Sequence, residues 1–134
     1  MKKIKIIVMI LAVLLTFLSG CADSVVNKIT FKNFALSKVY VNFRASVITI
    51  EAGSSIEVTD IPKGTYSYDT NYDVPIGTVT STTDGAVTGE VNLDAGTKIL
   101  VIYSSSFDDV NGVYTLSATI SSSDATSSGD PTSP

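Results

Sequence analysis

The stretch VYVNFR (residues 39–44) places three apolar side chains on one face of an extended chain. Its remaining side chains, Tyr40, Asn42 and Arg44, fall on the opposite face. Alternation with a period of two residues is typical of a half-buried strand in an antiparallel sheet. This stretch therefore indicates a β protein with one side of the sheet packed against a core.

Similar extended runs recur on both sides of this stretch, and none of the sequence after residue 20 shows convincing helical periodicity. The runs cover residues 29–32, 47–50, 56–59, 65–72, 78–83, 86–93, 98–103 and 113–120. The apolar run at residues 98–103 belongs in the interior of a sheet, whereas the polar threonine-rich run at residues 78–83 suits an edge. We predict an all-β fold: a single immunoglobulin-like antiparallel β-sandwich of about seven to eight strands over residues 28–120.

Short polar links containing glycine separate several of these runs. Residues 51–58 (EAGSSIEV) and 94–101 (DAGTKILV) share an acid-Ala-Gly turn followed by apolar residues. Glycine in such a link predicts a hairpin in both places, so the echo is explained by one turn chemistry used twice. Duplicated binding loops are the functional alternative. Residues 104–112 are predicted to form a loop.

The segment DIPKGTY (residues 60–66) resembles the turn before a late strand in prealbumin-like, fibronectin-like and other immunoglobulin-like bacterial domains. The resemblance covers seven residues and implies only the fold. Such domains serve as adhesive, spacer or ligand-holding modules, and the motif does not select among these roles.

The first twenty residues have the order of a secretory signal. Lys2, Lys3 and Lys5 precede an apolar stretch that ends in small residues at Ser19 and Gly20. The apolar part from Ile6 to Leu18 is shorter than the roughly 20 residues that a membrane-spanning helix needs. We therefore predict a cleaved signal peptide over residues 1–20.

The segment Leu18-Ser19-Gly20-Cys21 resembles the lipobox of bacterial lipoproteins at every position. The resemblance implies that Cys21 becomes the first residue of the mature chain, carries diacylglycerol on its sulfur, and can also be N-acylated (for example, by palmitate). Residues 21–27 would then be a lipid-anchored tether. Ala22 rather than aspartate follows the cysteine, which implies the outer membrane if the host is Gram-negative. The alternative is a secreted protein with a coincidental cysteine.

Composition excludes several function classes. Removing residues 1–20 leaves six basic and 13 acidic residues, a net charge of −7 that argues against nucleic acid as a partner. The chain has no histidine, no tryptophan and one cysteine, so neither a histidine-based nucleophile nor the usual zinc or haem site can be assembled. We predict no enzymatic activity and no cofactor beyond the covalent lipid. Residues 121–134 are rich in Ser, Thr, Asp, Gly and Pro and are predicted to be a disordered tail.

Three further patterns have both a functional and a structural interpretation. Asp69, Asn71 and Asp73 share one strand face, with Tyr68, Thr70 and Tyr72 on the other, and are weak calcium candidates, although the glycine and glutamate of a calcium loop are missing. The structural interpretation is a solvated strand face. The loop Asp108-Asp109-Val110-Asn111-Gly112 is a second acidic candidate, but its residues also suit a tight turn. The six tyrosines could stack sugar rings or fill the core.

The sequence therefore predicts a lipid-anchored protein of the bacterial cell envelope, non-catalytic, with a structural or protein-binding role. Its expected partners are the membrane, through the anchor, and another envelope protein. The alternative is a carbohydrate- or calcium-dependent adhesive module, in which Tyr68 and Tyr72 would contact the sugar.

Overall fold

The computed structural model describes residues 26–123, which form nine strands. The strands are β1 (Asn27–Asn33), β2 (Val39–Phe43), β3 (Ser46–Ile50), β4 (Ser55–Ile61), β5 (Gly64–Tyr72), β6 (Thr80–Gly85), β7 (Thr88–Leu93), β8 (Lys98–Asp108) and β9 (Val113–Ser122). The predicted signal peptide, Cys21 and the tail from residue 124 lie outside the described residues. Within residues 26–123, no helix is long and apolar enough to cross a bilayer.

The strands form two sheets that pack face to face. One sheet has five strands in the order β4-β1-β8-β9-β6, and the other has four in the order β3-β2-β5-β7. The prediction of an all-β sandwich is confirmed, with nine strands instead of seven or eight. The polar strand β6 lies at an edge, as its threonines predicted, and all six of its residues are exposed.

Alternating burial explains why the two layers adhere. In β1 and β2 every second residue is buried, which turns Ile29, Phe31, Val41 and Phe43 into the space between the sheets. The strands β8 and β9 supply the facing layer, including fully buried Tyr103 and Tyr114. Each such side chain contributes roughly 1.5–3 kcal/mol through removal of apolar surface from water. The stretch at residues 39–44 thus has the inward and outward faces expected of it.

Two strand pairs are parallel, which the prediction of a purely antiparallel sheet did not include. β1 runs parallel to β8, with Lys28 opposite Lys98 and Asn33 opposite Tyr103, and β6 runs parallel to β9. The other five pairings are antiparallel. Parallel neighbours require long connections, and here those connections pass through the opposite sheet.

Both predicted glycine hairpins are wrong. The link after β3 leads to β4 in the other sheet, and the link after β7 likewise leads to β8 in the other sheet. A short polar link with glycine can therefore either reverse the chain within one sheet or carry it across the sandwich. The two echoing segments are two crossings of the same kind, at opposite ends of the molecule.

The predicted loop at residues 104–112 is also mostly wrong. Strand β8 continues to Asp108 because each of its later residues pairs with β9, from Ser104 opposite Ser117 to Asp108 opposite Val113. Only residues 109–112 form the turn between the two strands.

Two buried asparagines hold the ends of β1. Asn27 donates from Nδ2 to the Ile61 carbonyl at 3.1 Å and accepts the Thr97 amide at 2.8 Å. Asn33 donates to the Ser37 and Ile50 carbonyls at 2.9 and 3.0 Å. Because buried amide groups must be hydrogen-bonded, these contacts set where β1 starts and stops. Asn27 therefore belongs to a strand and not to the predicted tether, as Ser121 and Ser122 belong to β9 and not to the tail.

The turn in the segment at residues 60–66 is closed by a tyrosine. The Tyr66 hydroxyl donates to the Pro62 carbonyl at 2.7 Å, four residues upstream, an arrangement similar to the tyrosine corner of immunoglobulin-like domains. Asp60 just before it has φ 57° and lies where the register between β1 and β4 shifts, which marks a β-bulge.

Candidate functional site

The weak calcium candidates lie on the solvent side of β5 and at its end. Asp69 and Asn71 are exposed, whereas Tyr68 and Thr70 between them are buried, as the alternation predicted. Asp69 accepts the Thr88 hydroxyl at 2.8 Å, and Asp73 accepts the Tyr40 hydroxyl at 3.0 Å, which raises the pKa of Tyr40.

Hydrogen bonds within the fold already involve both carboxylates of this set, since Asp69 accepts from Thr88 and Asp73 accepts from Tyr40. Among residues 26–123, no group of three or more His, Cys, Asp or Glu could hold a metal ion. The arrangement suits a hydrated strand face.

The second acidic candidate closes the turn between β8 and β9. Asp108 accepts the Val110 and Asn111 amides at 3.0 and 3.2 Å, and its other oxygen accepts the Asn111 side chain at 2.6 Å. The Asn111 side-chain hydrogen bond, followed by the backbone bonds, lowers the pKa of Asp108. This carboxylate is thus occupied by the turn itself.

Both tyrosines proposed to stack on sugars are at least partly buried. Tyr68 is buried and its hydroxyl donates to the Ala86 carbonyl at 2.7 Å. Tyr72 is half-buried and packs on Tyr114, with ring centroids 5.8 Å apart. Both rings belong to the core and its rim, which is the structural interpretation of the tyrosines.

A shallow depression of about 590 Å³ lies over β2, β5 and β7 of the four-stranded sheet. The polar side chains around it include Arg44, Asp69, Thr88 and Glu90. The Arg44 guanidinium lies 5.7 Å from the centre of the Tyr66 ring, a cation–π distance. One cation and two carboxylates around a depression can hydrogen-bond a polar ligand, and the sequence pattern had singled out only Asp69 among these residues.

The two ends of the sandwich differ in character. At one end, which we call the base end, the Lys28 amide donates to the Thr97 carbonyl and the Lys98 amide donates to the Ser123 hydroxyl, both at 3.0 Å. The first described strand therefore begins, and the last one ends, on either side of the start of β8. Strand β8 leads from the base end to the opposite end, a distance of about 35 Å over its 11 residues.

Exposed apolar side chains collect at that opposite end. They are Phe34, Leu36, Val74, Ile76, Val79 and Val110, which we call the apolar tip. They come from the β1–β2, β5–β6 and β8–β9 links, all of which lie beyond the far ends of β1, β5 and β8. The sequence carried a signal for this surface that strand analysis passes over: large apolar residues within turn segments.

The described chain is thus a β-sandwich with a shallow depression on one sheet and an apolar tip opposite its base end. No known protein family, curated protein or solved structure matches the chain.

Proposed function

We propose that this chain is a lipid-anchored protein of the bacterial cell envelope, non-catalytic, with a structural or protein-binding role. The observation that supports it best is the placement of the apolar tip at the end of the sandwich opposite Asn27. Cys21 precedes Asn27 by six residues, so an anchored chain would have its base end towards the membrane and its apolar tip away from it.

The lipobox supplies the anchor in this proposal. Leu18, Ser19 and Gly20 precede the cysteine that would carry diacylglycerol, and two or three acyl chains hold a protein on a bilayer stably. Six residues reach at most about 20 Å, so the sandwich would stand close to the lipid surface. Ala22 after the cysteine favours the outer membrane in a Gram-negative host.

The residue inventory supports a role without catalysis. The chain has no histidine and its single cysteine is the proposed lipid attachment site. The buried tyrosine hydroxyls of Tyr68 and Tyr103 are hydrogen-bonded within the fold, to Ala86 and Thr70. Interaction with another envelope protein is therefore the role that the domain is best suited to.

The experiment that tests the anchor compares the native chain with Cys21→Ser, and Ala22→Ser serves as the matched control. Mass spectrometry should find diacylglycerol on the native chain and on Ala22→Ser, and both should fractionate with membranes. The Cys21→Ser chain should be unmodified and soluble. An unmodified thiol on the membrane-bound native chain would refute the proposal.

The depression beside Arg44 favours the carbohydrate-dependent form of a second candidate, an adhesive module. Polar side chains around a depression of about 590 Å³ can hydrogen-bond sugar hydroxyls. Glycan-array binding that is lost in Arg44→Ala would support this candidate over the first.

A further inference from the structure

The apolar tip exposes most of the large apolar surface of the described domain. Nine large apolar side chains are exposed among residues 26–123, and six of them lie in the tip. Ile76 is fully exposed, Val110 is 87% exposed and Phe34 is 65% exposed. A concentration of this kind on loops at one end of a small domain marks an interaction site.

Hydrogen bonds hold the loops of the tip in place. The Phe34 amide donates to the Tyr103 carbonyl at 2.8 Å and the Leu36 amide to the Ser105 hydroxyl at 2.9 Å. The Val79 amide donates to the Gly112 carbonyl at 2.7 Å, which joins the β5–β6 link to the β8–β9 turn. A surface whose backbone is already ordered loses little conformational entropy on binding.

The segments that form the tip end carry more acidic than basic side chains. The segments that form this end carry four carboxylates, those of Glu51, Asp73, Asp108 and Asp109. Their one basic residue is Lys38, which lies 3.1 Å from Glu51 and has its pKa raised by that hydrogen bond. The apolar tip therefore lies within a net negative field.

The negative charge at this end favours some binding partners of the apolar tip over others. A second copy would bring carboxylates against carboxylates, and an anionic bilayer surface would likewise be repelled. A surface with apolar side chains flanked by lysine or arginine would pack against the apolar side chains of the tip. Its positive charges would also be attracted by the carboxylates at this end.

We propose that the apolar tip binds a partner protein through a segment in which aliphatic or aromatic side chains are flanked by basic residues. The inference deepens the proposed protein-binding role and relies on the proposed anchor only for its direction, away from the lipid surface. Affinity would come from the apolar side chains, and the rate and selectivity of association from the carboxylates.

The test uses the chain from residue 21 to residue 134 with Cys21→Ser, so that no acyl chain competes for the probe. The probe is a synthetic leucine–lysine peptide with one tryptophan, because the protein has no tryptophan and the peptide's fluorescence reports binding alone. The double variant Ile76→Ser/Val110→Ser tests the tip. The control is Val47→Ser, a residue 63% exposed in the β2–β3 hairpin towards the base end.

We expect the double variant to weaken binding about tenfold or more, as for residues at the centre of an interface, while Val47→Ser keeps the native affinity. A matched leucine–glutamate peptide should bind at least about tenfold more weakly. Both the Asp109→Asn substitution and added salt should weaken the binding of the leucine–lysine peptide.

The inference would be overturned if Val47→Ser lost as much affinity for the leucine–lysine peptide as the double variant does. Equal binding of the two peptides, or no binding of either, would also overturn it. So would co-sedimentation of the Cys21→Ser chain with neutral phosphatidylcholine vesicles that is lost in the double variant, since the occupant would then be a bilayer. Dimerisation in ultracentrifugation that is lost in the double variant would make it a second copy. None of these results alters the fractionation of Cys21→Ser, so failure of the tip and failure of the anchor are distinguishable.

Discussion

The hydroxyl oxygens of Tyr103 and Thr70 lie 2.8 Å apart in the middle of the sandwich, where they join the two sheets. Tyr103 is completely buried in β8 and Thr70 is 7% exposed in β5. This bond links the five-stranded sheet to the four-stranded sheet through side chains. Nearby on β9, the buried Tyr114 hydroxyl has no hydrogen-bond partner among the residues that the structure describes.

The two buried tyrosines should therefore respond oppositely to loss of the hydroxyl. Tyr103→Phe leaves the buried Thr70 hydroxyl unpaired and should destabilise the fold by about 1–2 kcal/mol. Tyr114→Phe removes an unpaired polar atom and should be neutral or stabilising by up to about 1 kcal/mol. Urea denaturation of both variants measures the difference, and equal destabilisation would contradict the hydrogen-bond assignments.

Alkaline pH should weaken the fold through Tyr103. Burial, the larger cause, raises the pKa of Tyr103 to about 12, against 10.0 for a free tyrosine. The folded chain therefore keeps a proton that the unfolded chain loses, so this contribution is complete below pH 10 and is lost as the pH rises towards 12. In that window each pH unit costs about 1.4 kcal/mol. Melting temperatures of the native chain and Tyr103→Phe should fall with different slopes above pH 10, whereas parallel slopes would rule out this tyrosine as the cause.

Acid pH should loosen the turn between β8 and β9 through Asp108. Its lowered pKa means that the carboxylate's stabilisation is present above the unfolded value of 3.8 and is lost as the pH falls through the folded value. Asp108→Asn keeps an acceptor oxygen for the Val110 and Asn111 amides but does not titrate. Its melting temperature should therefore drop less than that of the native chain as the pH falls below 3.8. Asp109→Asn is the control, and it should behave as the native chain does at this turn.

The two-residue turn between β2 and β3 should be improved by glycine. Arg44 and Ala45 have φ of 51° and 59°, the left-handed region that a type I′ hairpin turn requires and that residues with a Cβ disfavour. Ala45→Gly should stabilise the domain by about 0.5–1 kcal/mol, whereas Ala52→Gly, in the crossing link before β4, should not. Differential scanning calorimetry compares the two, and a stabilised Ala52→Gly would point to an effect unrelated to φ.

Two glycines with similar φ should differ in what they tolerate. A Cβ on Gly85, whose φ is 72°, would overlap the Ala118 carbonyl oxygen on the neighbouring strand. A Cβ on Gly53, whose φ is 78°, meets nothing within 4 Å. Gly53→Ala should cost about 1 kcal/mol for backbone strain alone. Gly85→Ala should cost at least about 2–3 kcal/mol, because β6 must move away from β9. Chemical denaturation should show this order, and its reversal would refute the packing of β6 against Ala118.

The strands themselves could be predicted because burial has a direct imprint on the sequence. Alternation at residues 39–44 and at Tyr68, Thr70 and Tyr72 identified inward faces correctly, since a sandwich strand has one dry face and one wet face. The polar composition of residues 78–83 likewise identified an edge strand.

The partners of those strands could not be predicted in the same way. An Ala-Gly turn satisfies the same backbone geometry whether the next strand lies beside the last one or in the opposite sheet, so the links at Gly53 and Gly96 looked like hairpins. Serines 104–106 are poor strand formers taken alone and are extended because β9 pairs with them. Asn27 and Asn33 gave no sign of burial, since their role depends on carbonyls distant in the sequence, such as those of Ile61 and Ile50.

The candidate surfaces, like the strands, could be predicted only where they depend on local periodicity. Asp69 and Asn71 were correctly placed on a solvent-facing strand side, because side-chain direction follows from local periodicity. The apolar tip was missed, because only the topology brings Phe34, Ile76 and Val110 to one end of the molecule.

The parallel pairing of β1 with β8 has a consequence for the order in which the molecule is completed. Ile29 and Ile99 lie opposite each other in adjacent parallel strands although 70 positions separate them, so β1 gains this neighbour only from residues that emerge late in synthesis. Closing so long a loop makes assembly slow, on the millisecond-to-second scale of β topologies. A growing polypeptide that ends before Ile99 lacks the neighbour on one side of β1. Completion of the five-stranded sheet would thus come late in synthesis, after β8 and β9 have emerged.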